Sequence, residues 1–239
     1  MKILNSGASS LGLQLSPNQL EQFEVYYHEL IDWNRRVNLT TITGYDEVQV
    51  NHFLDALTVA LVWQPSAGSV APRILDVGTG GGVPGVPLKI TFPQIRLVLL
   101  EATAKKAAFL HHLRDRLKLK DVEIVVGRAE EVAHNAQYRE EFDPVLSRAV
   151  APLPALAELT LPFCAVGGSV VVHKKGDIEV ELKKSSRAID TCGGKLREVK
   201  AVDLSEFPDK RYLVVIDKVS ATPEQYPRRP GIPKKRPIR

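Results

Sequence analysis

From Arg73 onward the chain alternates short apolar runs with amphipathic stretches. The runs are RILDV (73–77), RLVLLE (96–101), VEIVV (122–126), PVLSRA (144–149), SVVVHK (169–174), KLREVKAVDL (195–204) and RYLVVIDKV (211–219). Seven strands are predicted. The stretches between the first five, such as 103–119 and 152–164, are long enough for crossover helices, which implies parallel pairing in a doubly wound α/β sheet. The last two runs are separated only by 205–210, a hairpin-length link, so one antiparallel pair is expected at the end of a mostly parallel sheet. Before Arg73 the pattern is helical. Ser16-Pro17-Asn18-Gln19 reads as a helix start, with Ser16 as N-cap, Pro17 in the first turn and Gln19 completing a capping box. Leu20, Phe23, Tyr27, Leu30, Ile31 and Val37 follow at helical spacing. A second helical pattern runs from about Asp46 to Val62 and closes at 65–68. The expected organisation is a helical segment over 1–68, packed on a ligand-binding domain over 69–220, and a tail over 221–239.

Composition narrows the class. With 239 residues, 44% hydrophobic and 25% charged, the chain can bury a sizeable core. Cys164 and Cys192 sit in no metal-ligand or disulfide spacing, and a reducing, cytoplasmic setting is expected. The first residues lack the charged start and continuous apolar stretch of a signal peptide, and no run is long enough to span a membrane. The net charge of +4 is unevenly placed. Residues 226–239 hold six basic residues and no acidic one, leaving 26 basic against 28 acidic elsewhere, a net −2. A Pro-rich cationic tail on a near-neutral body favours a polyanionic partner. The same composition also suits a disordered, solubilising extension.

The first strand leads into DVGTGGGVPGVPL (76–88), with Asp76, Gly78, Gly80, Gly81 and Gly82 at the strand end. Glycine lets a ligand lie close to backbone there. Counted from the strand end, a dinucleotide-binding pattern would need its third glycine at position 83, which is Val83. The Asp-x-Gly-x-Gly arrangement resembles instead the loop of S-adenosyl-L-methionine-dependent methyltransferases. That cofactor carries an ammonium and a sulfonium and no phosphate, so a carboxylate at Asp76 attracts it. Glu101, ending the second strand, stands where such folds place an acid against ribose hydroxyls. Arg128-Ala129-Glu130 follow the third strand, where a backbone amide and a carboxylate can meet an adenine edge.

Over nearly its whole length the chain resembles the bacterial 16S ribosomal RNA guanine-N7 methyltransferase family, long called glucose-inhibited division protein B. The resemblance rests on Trp33-Asn34, Val37-Asn38-Leu39-Thr40, His52-Phe53-Leu54-Asp55, the glycine loop, Glu101 with Lys105-Lys106, Arg128-Ala129-Glu130, Ser147-Arg148-Ala149, Lys175-Gly176, Arg211–Val215 and the ending YPRRPGIPKKRPI. Glu101 replaces the frequent aspartate, and Lys174 stands where an aliphatic residue is usual. The resemblance implies a class I methyltransferase Rossmann-like fold with an N-terminal helical extension, and cofactor contacts at Gly78, Val83, Glu101, Ala102, Thr103, Ala129, Glu130 and Arg148, to which the glycine loop itself adds Asp76 and Gly80. It implies that Asn38, His52, Lys105, Arg128 and Arg211 face RNA or the target base, with Asn38, His52 and Arg148 as positioning candidates. The expected substrate is guanine N7 in 16S ribosomal RNA, in the 530-loop region, presented as RNA or as a small-subunit assembly intermediate to a monomeric enzyme.

The sequence carries no Ser/His/Asp order, H-E-x-x-H, zinc cluster or P-loop lysine. Guanine N7 has a lone pair and no proton, so its methylation calls for alignment rather than a general base. Cys164 and Cys192 read as structural. His111 and His112 point in different directions on a helix and read as surface or boundary residues. His52 reads equally as a core polar group or a substrate-facing one. Lys105 fits a phosphate contact or a solvated helix face. Arg228, Arg229, Lys234 and Lys235 of the tail are candidate phosphate contacts whose loss would flatten the salt dependence of binding. The alternatives are a methyltransferase acting on another RNA, a small molecule or a protein, and a non-catalytic RNA-binding or dinucleotide-binding module.

Overall fold

Each of the seven apolar runs becomes a strand of one sheet in the computed structural model, which describes residues 1–66 and 71–238. The helices that precede the sheet are α1 (Lys2–Ser10), α2 (Pro17–Asn34), and a continuous helical rod made of α3 (Tyr45–Val48), a π-helical segment (Gln49–Leu54), α4 (Asp55–Leu57) and a 3-10 turn (Thr58–Leu61). There follow β1 (Arg73–Val77), α5 (Gly85–Thr91), β2 (Arg96–Glu101), α6 (Ala104–Arg116), β3 (Val122–Val126), α7 (Ala129–Val132), β4 (Val145–Arg148), α8 (Leu153–Thr160) with a 3-10 turn (Leu161–Phe163), β5 (Ser169–Lys175), α9 (Glu179–Thr191), β6 (Gly194–Val202), β7 (Arg211–Lys218) and α10 (Ile232–Lys235). The expected boundary between 68 and 69 lies outside the described residues.

The strand order is β3-β2-β1-β4-β5-β7-β6. β1 pairs in parallel with β2 and β4, and β4 with β5, while β7 is antiparallel to both β5 and β6. β7 is thus the one antiparallel strand, inserted between β5 and β6, and β6 forms the edge.

Alternation along the strands divides the interior in two. Ile74, Leu97, Leu99, Leu146, Val171 and Leu213 face a layer built by α1, α2, the helical rod, α5 and α6, in which Leu4, Phe23, Tyr26 and Phe53 are fully buried. Leu75, Val98, Leu100, Val145, Val172 and Val214 face the opposite layer, with Leu156, Phe163, Ile189 and the thiols of Cys164 and Cys192. The N-terminal helices therefore share a core with the sheet. Burial pushes both thiols up to about 12 and keeps them neutral.

The capping box of α2 is present. The Ser16 hydroxyl accepts the Gln19 N–H at 3.3 Å and the Gln19 side chain accepts the Ser16 N–H at 2.8 Å. Ser16→Ala should cost about 1 kcal/mol in urea denaturation, and Ser16→Asp should retain most of that stability. Equal losses in both would exclude a capping role. α1 lacks such a signal: its N-cap is Met1, with no side-chain cap, and its buried positions Leu4, Gly7 and Ala8 include two small residues.

Candidate active site

β1 lies between β2 and β4, so the connections leaving it and its neighbour diverge to opposite sides. Open α/β sheets bind ligands at that point, beyond the carboxyl ends of the strands. There the chain turns through Gly78 (φ 71°), Gly80 (φ 58°) and Gly82 (φ 95°), conformations that glycine adopts without strain. A Cβ on Gly80 would meet nothing within 4 Å, so the loop faces open space at that residue. Three side chains hold the loop. Asp76 Oδ2 accepts the Thr79 hydroxyl at 2.7 Å and the Gly85 N–H at 2.9 Å. Glu101 accepts the Gly80 N–H at 3.0 Å and the Thr103 N–H at 2.8 Å. The Tyr26 hydroxyl, from α2, donates to the Gly81 carbonyl at 2.5 Å.

Asp76 is fully buried, and its Oδ1 has no hydrogen-bond partner. Burial pushes its pKa up to about 6, aided by the nearby Glu101 charge and opposed by the Thr79 and Gly85 hydrogen bonds. Val83 is buried in the core against the N-terminal helices. The close contact between helix and strand is made at Gly85, where a Cβ would lie 2.8 Å from Leu99. The glycine needed for tight packing is thus present two residues later than the dinucleotide pattern places it.

Of the other predicted cofactor residues, Ala102 and Thr103 are exposed just beyond β2, and Ala129 is half-buried at the start of α7. Glu130 is buried and accepts the Gly231 N–H at 2.8 Å. Arg148 ends β4, so the four adjacent parallel strands bring all these residues to one rim.

Arg148 also borders a cleft of about 810 Å³, whose walls include Asn38, Thr40, His52, Ala149 and Lys174. Its floor is an ionic cluster centred on Asp55. Asp55 Oδ2 lies 2.7 Å from the Arg148 guanidinium, and Oδ1 makes a 2.7 Å ion-pair contact with that of Arg211. Arg148 further donates to the Asn51 carbonyl at 2.6 Å and to His52 Nδ1 at 3.0 Å. The same Nδ1 lies 3.1 Å from the Asn51 carbonyl oxygen, and Nε2 lies 2.8 Å from the Thr40 hydroxyl, so both ring nitrogens are engaged. Burial and the Arg148 charge push His52 down to about 4, so it is neutral at physiological pH. His173 is also held near 4 by burial, against the pull of Asp55, and its Nε2 lies 3.0 Å from the Asp55 carbonyl oxygen. Asn38 is exposed at the cleft wall. Ala149 adopts φ 56°, a strained conformation for a residue with a Cβ, at the rim shared by the loop and the cleft.

Sequence reasoning passed over Asp55, Asn51, His173 and Tyr26 as site residues. A signal existed for Asp55, a lone acid in the apolar run FLDALTVAL, since a buried carboxylate requires partners. For Asn51 the register depends on the π-helical segment, which a regular period does not reveal.

Residues 19–210 match the family described as rRNA small subunit methyltransferase G. Ribosomal RNA small subunit methyltransferase G of Dehalococcoides mccartyi (strain CBDB1) is 51% identical over 239 residues, covering all of both chains. The protein of the same name from Roseiflexus castenholzii is 46% identical over 97% of each. The chain belongs to the rRNA small subunit methyltransferase G family. Its fold also resembles more distant solved structures. These include a putative O-methyltransferase from Klebsiella pneumoniae (TM-score 0.53, 16% identity, 82% of this chain and 90% of that one). Another is precorrin-6y C5,15-methyltransferase from Geobacter metallireducens (TM-score 0.52, 16% identity, 69% and 88%).

This member of the family carries its predicted RNA-facing cations in three settings. Lys105, Arg128, Arg229, Lys234 and Lys235 are exposed. Arg211 is not available to phosphate. It is 2% exposed, donates to Asp209 at 2.9 Å and Asn51 at 2.5 Å, and lies 4.1 Å from the Phe207 ring. Arg228 is likewise engaged, because its guanidinium binds both oxygens of the fully buried Glu158 at 2.9 and 2.6 Å. In both cases a buried carboxylate elsewhere in the chain pairs with the cation, Asp55 with Arg211 and Glu158 with Arg228. Lys174, the departure from the usual aliphatic residue, pairs with Glu181 at 2.6 Å.

Proposed function

We propose that this chain transfers the methyl group of S-adenosyl-L-methionine to N7 of a guanine in 16S ribosomal RNA, in the 530-loop region, acting as a monomer in the cytoplasm on RNA or a small-subunit assembly intermediate. The observation that carries this reading is the cleft beside Arg148. Its ionisable groups are tied to one another rather than poised to take a proton: His52 is neutral and bonded on both ring nitrogens, and Asp55 is bound by two guanidiniums. N7 offers its lone pair without losing a proton, so a cleft that aligns the base is sufficient.

The residues at the strand ends fit the cofactor. The Gly80 surface is open, a buried carboxylate oxygen of Asp76 lacks a partner, and Glu101 stands at the β2 terminus. An acidic, glycine-lined rim complements a ligand with two cationic centres. Bound there, S-adenosyl-L-methionine supplies an electrophilic methyl group. Gly78, Gly80 and Val83 would contact its methionine portion from the loop, with Asp76 behind them. Glu101, Ala102 and Thr103 would take the ribose, and Ala129 and Glu130 the adenine edge. Arg148 would stand between cofactor and base, with Asn38 and His52 positioning the base. Among the described residues no helix is long and apolar enough to cross a membrane, and the two cysteines are free and buried, which suits a reducing compartment.

The test uses small subunits from a strain lacking the gene, incubated with the protein and labelled S-adenosyl-L-methionine. Label in N7-methylguanine of 16S RNA is expected, and its absence on both naked RNA and subunits overturns the reading. Lys105, Arg128, Arg229, Lys234 and Lys235 would contact phosphate. Replacing Arg229, Lys234 and Lys235 together by alanine should lower the slope of log affinity against log salt by roughly 2 to 3. An unchanged slope in filter binding would remove the tail from the RNA interface.

A further inference from the structure

The end of the chain folds back across α7 and α8. The Lys218 ammonium is buried at the start of this path, 3.0 Å from Glu140, which also accepts the Thr222 N–H at 2.6 Å. Arg139 donates to the carbonyls of Thr222 and Tyr226 at 2.8 and 3.0 Å. Further on, Glu158 accepts both the Arg228 backbone N–H, at 2.8 Å, and its guanidinium. The same guanidinium donates to the Arg236 carbonyl at 2.8 Å, which ties residues 228 and 236 together around Gly231. At the apex of that loop Gly231, with φ 82°, gives its N–H to Glu130.

Every residue of α8 is buried, so Glu158 presents a carboxylate from a helix that offers it no water. A buried charge of that kind stands only if it is paired and hydrogen-bonded, and Arg228 supplies both requirements. The pair therefore anchors the tail at a fixed place. What the anchored tail reaches is the carboxylate at the beginning of α7, on the rim formed by the ends of β1 to β4.

We infer that Arg228 and Glu158 are positioning residues for the cofactor site: they hold the Gly231 N–H on Glu130 and so fix the Glu130 carboxylate at the adenine side. The inference rests on the proposed reading of Glu130 as an adenine-edge contact. A carboxylate oriented by a charge-assisted hydrogen bond binds without first having its side chain immobilised. Linkage makes the effect reciprocal, so the cofactor stabilises the docked tail as the tail strengthens cofactor binding. The tail would then serve two ends, with Arg229, Lys234 and Lys235 turned to solvent and Gly231 turned to the site.

The full-length protein is titrated calorimetrically with S-adenosyl-L-methionine in the absence of RNA. Arg228→Ala should weaken binding about tenfold, and Arg228→Lys less, since lysine keeps the charge without the two-pronged contact. A chain ending at Pro230 keeps the Arg228–Glu158 pair and lacks Gly231; it should show a loss of the same order, which separates the contact from the folding of the tail. In activity assays at saturating RNA, Arg228→Ala should raise KM for the cofactor by a similar factor and lower kcat far less. Trypsin cleavage after Lys234 and Lys235 should slow when the cofactor is bound, and this protection should vanish in Glu130→Ala. Affinities within twofold of the unaltered protein in both Arg228→Ala and the shortened chain, beside a weakened Glu130→Ala, overturn the inference alone. An unweakened Glu130→Ala overturns the adenine reading on which it rests.

Discussion

Asp55→Ala is expected to destabilise the protein by about 3–5 kcal/mol, the range observed when one partner of a buried ion pair is removed. Asp55 is 3% exposed and joins three parts of the chain: the helical rod that carries it, the end of β4 through Arg148 and the start of β7 through Arg211. Without it two guanidiniums remain at the floor of the cleft, and Arg211, itself 2% exposed, keeps Asp209 as its only acidic partner among the described residues. For a chain of this size the melting temperature should fall on the order of 10 °C. Asp55→Asn should recover little, because the cost is uncompensated charge rather than lost volume. Combining Asp55→Ala with Arg211→Leu should lose less than the sum of the two single variants, since one stranded charge is gone.

The pH dependence follows the same pair. Burial alone would raise the Asp55 pKa, but His173, Arg148 and Arg211 outweigh it and pull the group down to about 2. A depressed carboxylate stabilises the fold above its unfolded value near 4, and that contribution disappears as pH falls from about 4 through about 2. His173 is neutral above about 4, so at physiological pH the two guanidiniums are the partners that count. A denaturation series showing a loss under about 1 kcal/mol at neutral pH, or no difference in acid sensitivity between Asp55→Ala and the unaltered protein, would contradict this account.

The seven strands were legible because strands covered on both faces read as continuous apolar runs, and α2 because its cap is written in four consecutive residues. What local patterns leave open are the pairings across long separations. A hairpin-length link between β6 and β7 implies that they pair, yet does not say that β7 enters the sheet and leaves β6 at the edge. The tail illustrates the limit on charge counting. Six cations near the terminus read as a single device, but Glu158, far upstream in a wholly buried helix, claims Arg228, while Arg229, Lys234 and Lys235 are exposed. An isolated acid in LPALAELT, like the one in FLDALTVAL, was the available sign that a cation from elsewhere must come to it. At the glycine loop the residue types were informative, since Asp76 and Glu101 are where the strand ends put them. Beside the Thr79 hydroxyl, their present partners include the Gly85 and Gly80 amides, backbone groups that no side-chain pattern announces.

Glu101→Ala is expected to weaken S-adenosyl-L-methionine binding by about a hundredfold or more. The carboxylate is 6% exposed and accepts two backbone N–H groups, one from Gly80 and one from Thr103. Removing it leaves those amides without an acceptor, at a cost of about 1–3 kcal/mol each where water cannot replace it. It also removes the charged acceptor proposed for the ribose hydroxyls, and a hydrogen bond to a charged group contributes roughly 1.5–3 kcal/mol. The stranded amides weaken the loop with or without ligand, whereas two charged hydrogen bonds, one to each ribose hydroxyl, together contribute about 3–6 kcal/mol, more than the roughly 2.7 kcal/mol that corresponds to a hundredfold change in affinity. Glu101→Asp, which keeps the charge and shortens the reach, should lose far less than alanine. Glu101→Gln should fall between them, because its amide oxygen can accept from only one side of the group. Calorimetry on the three variants without RNA measures the series directly, and thermal melts separate loop damage from lost ligand contact. If alanine binds the cofactor as the unaltered protein does, Glu101 braces the loop alone, and the ribose must be held by other groups on the rim.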